Sequence, residues 1–97
     1  MKPNKGNSWE KELGGFLIQF KRQKGIMRLR VWTWVPDEWV YLWSDEGDSA
    51  EQAARAFRLE TKSGAPAVAV EGPTIDLMAV LDEKHREFNR RRREGGI

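Results

Sequence analysis

The stretch FLIQFKRQKGIMRLRVWTWVPDEWVYLW, residues 16–43, decides the fold. In it Phe16, Ile18 and Phe20 alternate with Leu17, Gln19 and Lys21, and Met27, Leu29, Val31 and Thr33 alternate with Arg28, Arg30, Trp32 and Trp34. A period of two among β-formers marks strands with two distinct faces. Lys24-Gly25 and Pro36-Asp37 punctuate the alternation with turn residues. Taken as two-residue loops, they set the pairing. The first places Phe20 opposite Leu29, Ile18 opposite Val31 and Gln19 opposite Arg30. The second places Trp34 opposite Trp39, Trp32 opposite Tyr41 and Arg30 opposite Trp43. A slip of one residue in the first hairpin would set Phe20 beside Arg28 and mix the faces, so the unslipped register is preferred. One face then collects Phe16, Ile18, Phe20, Met27, Leu29, Val31, Val40 and Leu42. The other collects Leu17, Lys21, Arg28, Arg30, Trp32, Trp34, Trp39, Tyr41 and Trp43. Neither loop is Asn-Gly, and Pro36 followed by Asp37 and Glu38 also suits the first turn of a short helix over 36–43.

Outward from this stretch the signals change. Residues 1–8, MKPNKGNS, read as a polar tail, and Ser8 fits as the cap of one helical turn from Trp9 to Leu13, broken by Gly14-Gly15. Beyond the loop SDEGD (44–48), Ser49 and Gln52 form a capping-box pattern. Ala50, Ala53, Ala54 and Phe57 make a helical stripe, which predicts a helix over 49–62. Gly64-Ala65-Pro66 ends it, and AVAV at 67–70 reads as a short strand. Gly72-Pro73-Thr74 opens a second helix with the stripe Ile75, Met78, Leu81, His85 and Phe88, reaching 91–93 before Gly95-Gly96. The expectation is a single α+β domain over 9–93, between tails at 1–8 and 94–97. A three-stranded antiparallel meander (15–22, 26–35, 38–43), with a short fourth strand left open, packs with two helices in the order β-β-β-α-(β)-α. The helices should cover the face of Phe16, Ile18, Phe20, Leu29 and Val31.

Composition bounds the function. Ninety-seven residues make one small domain, with 39% hydrophobic and 33% charged residues, as a globular chain has. There is no cysteine, which removes disulfides, thiolate catalysis and Cys-based zinc sites together. No apolar signal region and no run near the ~20 residues of a membrane span occur, so a cytoplasmic protein without a membrane partner is expected. The net charge of +2 conceals segregation. Residues 1–30 hold eight Lys/Arg against two Glu, residues 31–83 three against eleven acids, and residues 84–97 six against two. Basic ends and an acidic middle produce local fields larger than the total, and they can also satisfy one another.

Catalytic chemistry finds little support. His85 is the only histidine and lies on an apolar stripe, without a Ser or Cys partner, so it reads as a packing residue. Asp45, Glu46, Asp48 and Glu51 do not match a calcium-loop spacing and suit the start of the helix that follows. No glycine-rich phosphate loop occurs. The expectation is a non-enzymatic chain with no catalytic residue, metal or cofactor.

The unusual feature is aromatic. Four of the five tryptophans fall between 32 and 43, interleaved with arginine. Trp32, Trp34, Trp39, Tyr41 and Trp43 could stack unpaired bases while Lys21, Arg22, Lys24, Arg28 and Arg30 and the run Arg90, Arg91, Arg92 and Arg93 meet phosphates. A small binding module for single-stranded nucleic acid is therefore one reading. The alternative is a homodimer or other protein-interaction adaptor with the same tryptophan and arginine residues as its anchors. A third is an aromatic pocket for a small cationic or planar ligand.

Overall fold

The computed structural model describes the backbone of residues 7–95 and the side chains of residues 7–93. The alternation of residues 16–43 becomes three strands, β2 (Phe16–Gln23), β3 (Ile26–Val35) and β4 (Glu38–Glu46), and a further strand, β1 (Ser8–Leu13), precedes them. They form one antiparallel sheet in chain order, followed by helices α1 (Asp48–Ala56) and α2 (Leu77–Gly95). The fold is α+β with a four-stranded sheet and two helices, and residues 36–43 are turn and strand rather than helix.

The fourth strand is not the expected one. SWEKEL pairs with β2 instead of forming a helical turn, placing Trp9 opposite Phe20 and Leu13 opposite Phe16. Gly14 and Gly15, at φ 55° and 87°, close that hairpin, since two successive positive φ angles match the twist of the flanking strands. Lys24 and Gly25 repeat the geometry at 53° and 78°. At the third turn Pro36 precedes Asp37 at φ 77°, the pattern of a type II turn. Two residues of the expected tail at 1–8 join the sheet: Ser8 opens β1, and Asn7 O accepts from Arg22 N at 2.8 Å. Residues 1–6 and 96–97 of the two expected tails lie outside the described residues, and α2 itself continues to Gly95.

The core sits on one side of the sheet. Phe16, Ile18, Phe20, Met27, Leu29 and Val31 are buried against Ala50, Ala53 and Ala54 of α1 and Leu77 and Leu81 of α2. These are the alternate residues that the pairing placed on one face, and both helices cover it. The small alanines of α1 allow that helix to lie close on the sheet. His85 continues the α2 stripe, packing edge-on against Phe16 at 5.4 Å between ring centroids.

The helices begin and end differently from expectation. Gly47 rather than Ser49 caps α1, and no side-chain cap bond forms. The helix stops at Ala56, not 62, in a Schellman turn: Leu59 N donates to Ala54 O and Arg58 N to Arg55 O, with Arg58 at φ 52°. Residues 67–70 form no strand, and a single bridge joins Glu60 to Pro66. The carbonyls that a strand would pair are taken by arginines. Arg22 donates to Ala67 O at 3.0 Å, and Arg55 donates to Ala69 O at 2.9 Å and to Pro73 O. The second helix starts at Leu77 rather than at 72–74. Asp76 Oδ1 accepts from Ala79 N there, the geometry of an N-cap.

Candidate functional site: the uncovered sheet face

Among the described residues, no helix lies over the opposite face of the sheet. Its rows follow from the register: Trp34 beside Trp39; Glu12, Leu17, Trp32 and Tyr41; Glu10, Gln19, Arg30 and Ser44; then Ser8, Lys21, Arg28 and Glu46. The face is aromatic toward the Pro36-Asp37 turn and charged toward the other end. Trp34 and Tyr41 are about half exposed, at 50% and 49%.

Cross-strand contacts hold the rings upright. Trp34 and Trp39 meet at 5.1 Å between centroids with an interplanar angle of 69°, and Trp32 and Tyr41 at 5.7 Å and 79°. Edge-to-face contact of this kind suits the aromatic quadrupole and contributes about 0.5–1.5 kcal/mol per pair. A hydrogen-bonded chain anchors the second pair. Trp32 Nε1 donates to Gln19 Oε1 at 3.2 Å, and Gln19 Nε2 donates to Glu10 Oε1 at 2.9 Å. Tyr41 Oη and Ser44 Oγ share a bond of 2.7 Å. Side chains from all four strands therefore fix this face.

Not every residue read as part of the site lies here. Lys21, Arg28, Arg30, Trp32, Trp34, Trp39 and Tyr41 do. Trp43 does not, because the ladder shifts after Trp32–Tyr41 and resumes at Val31–Trp43. The extra residue, Leu42, is a β-bulge, and one inserted residue inverts the alternation beyond it. Leu42 and Trp43 both pack toward the core, and Lys84 of α2 stands 5.8 Å from the Trp43 ring centroid. The expected pair Arg30–Trp43 is accordingly Arg30–Ser44. Arg22 also faces the core side, where it bonds Gly25 O, Glu51 and Ala67 O. Lys24 lies in the β2–β3 turn. Arg90, Arg91, Arg92 and Arg93 belong to α2, on the helical side of the sheet.

The charges of the face balance. Lys21, Arg28 and Arg30 stand among Glu10, Glu12 and Glu46, and Arg28 Nε lies 3.3 Å from Glu46 Oε2. Arg30 and Lys21 make no side-chain ion pair or hydrogen bond among the described residues. The acidic cluster is used locally. Glu46 meets Arg28, Glu51 meets Arg22, Asp45 accepts from Glu46 N, and Asp48 and Glu51 occupy the first turn of α1. Among the described residues, the acidic middle of the chain thus meets the basic strands at two ion pairs. No described helix is long and apolar enough to cross a membrane. Comparison with protein-family models, curated proteins and solved structures finds no match to this chain.

Proposed function

We infer that this chain is a non-catalytic interaction module, and that the occupant of its uncovered sheet face is a second copy of itself. The observation behind this is the coexistence on one open face of four preorganised aromatic rings and balanced opposite charges. Large exposed apolar patches mark interaction surfaces, and Trp, Tyr and Arg are the residues enriched in interface anchors. Strands about 4.8 Å apart and some 27 Å long give the face about 500 Å² in plan. With the relief of protruding indoles, that approaches the ~800 Å² which a standard interface takes from each partner. A face carrying both signs of charge can meet its own copy without net repulsion. Sandwiching two such sheets buries their aromatic rings in a shared second core. A chain of this size gains much from that, since its own core is small.

Single-stranded nucleic acid is the second reading, favoured by the unpaired side chains of Arg30 and Lys21 beside the rings. Balanced charge weighs against it, because a polyanion site draws its affinity from excess cations. Both readings can be tested on the same tryptophans. Acrylamide quenching of their emission should be weak in the unmodified chain and strong in Arg30→Glu. An added oligothymidylate should leave the emission unchanged. Freely quenched tryptophans that a single-stranded oligonucleotide protects in a saturable, salt-sensitive way would replace self-association with base stacking.

A further inference from the structure

The arginine run lies away from the tryptophan face, and its surroundings differ. Successive residues of an α-helix are turned by about 100°, so Arg90, Arg91, Arg92 and Arg93 point to every side of the axis. All four are exposed, hence no side of this turn packs on the body. Burial along α2 falls in steps. Leu77 and Leu81 lie in the core, His85 rests against Phe16, and Phe88 is half-buried with Arg92 over its ring at 5.7 Å. None of Arg86, Arg90, Arg91, Arg92 and Arg93 forms an ion pair among the described residues. One or two cations would suffice to answer the helix dipole. Four in succession, with Arg86 one turn earlier, concentrate positive charge at mutual electrostatic cost.

We propose that the C-terminal turn of α2 binds the phosphate backbone of double-helical nucleic acid without regard to base sequence. Guanidinium groups present paired donors that match phosphate oxygens, and a projecting turn lets several reach one backbone together. The turn offers no free aromatic face on which an unpaired base could stack: Phe88 is the one Phe, Tyr or Trp of 82–93, and Arg92 lies over its ring. Affinity therefore comes from phosphate neutralisation and counterion release. A lipid surface is a poorer occupant. An interfacial helix needs an apolar face, and DEKHREFNRRRR (82–93) offers only Phe88. This surface and the tryptophan face lie on different elements and opposite sides of the sheet, so either assignment can fail alone.

The test is fluorescence anisotropy of a labelled duplex of arbitrary sequence titrated with the full chain over a range of salt. Two or three phosphate contacts at a time give a log–log salt slope of about −1.8 to −2.7. Replacing all four by glutamine (R90Q, R91Q, R92Q, R93Q) should lower affinity at least about tenfold at ~50 mM salt and flatten that slope. Far-ultraviolet dichroism should stay unchanged, since the residues are exposed and glutamine favours helix. The fourfold lysine variant keeps the charge and should retain most of the binding, and Lys24→Gln with Lys62→Gln, which alters exposed cations off both surfaces, should retain all of it. Parent affinity and slope in the glutamine variant would overturn the proposal. So would a lysine variant as weak as the glutamine one, or phosphatidylserine vesicles that hold the chain at salt where the duplex is released.

Discussion

Arg58 occupies the position after α1 where helices favour glycine, with φ at 52° and its side chain exposed. A left-handed conformation crowds any Cβ, and the turn's bonds from Leu59 and Arg58 to the last carbonyls are made by the backbone alone. Arg58→Gly should therefore stabilise the protein by about 0.5–1 kcal/mol, read as a rise in thermal midpoint. The end of α1 was illegible in the sequence for the same reason: Gly64 was the nearest glycine, six residues too late, and the left-handed residue is an arginine. Asp37 and Lys24 were easier. Both adopt positive φ, but each sits in a dipeptide whose Pro or Gly already announces a turn. Nothing in WVYLW marks Leu42 as an extra residue, so simple alternation sets Trp43 on the wrong face. Its place is set by packing, where a bulge lets both Leu42 and Trp43 join the core side.

Between elements, Arg22 ties three parts of the chain together. From β2 it reaches Gly25 O at 3.0 Å, Glu51 of α1 at 3.3 Å and Ala67 O at 3.0 Å. Residues 57–76, irregular apart from one bridge, are held by this arginine, by Arg55, and by Trp9 Nε1 donating to Glu60 O at 2.8 Å. Arg22→Ala should cost about 1–3 kcal/mol by leaving partly buried acceptors unmatched. Amide exchange should then quicken in 59–70 before it does in β2 and β3, and uniform loosening across the sheet would contradict this latch. The central hairpins are legible in the sequence and the flanks are not, for a reason that lies in their patterning. Alternation in residues 16–41 is nearly unbroken, so a single register satisfies both faces. SWEKEL and AVAV are short, and their states depend on which neighbours reach them. Gly14-Gly15 folds the first onto β2, whereas Arg22 and Arg55 take the carbonyls of the second.

For the whole molecule, the decisive fact is the one-sidedness of the layers. Two helices and a four-stranded sheet make a two-layer fold, and both helices pack on the same face. The segregation of tryptophan and arginine on one face of β3 was visible in the sequence. That Arg90 to Arg93 stand on the other side of the sheet was not, since it depends on where α2 crosses. Self-association through the Trp34/Trp39 face is read without a reporter group by sedimentation equilibrium of the full chain. At tens of micromolar the expected mass is roughly twice the chain mass of 11.2 kDa, falling to the chain mass when Trp34→Ser is combined with Trp39→Ser. An unmodified chain that sediments at its own mass across that range would contradict it.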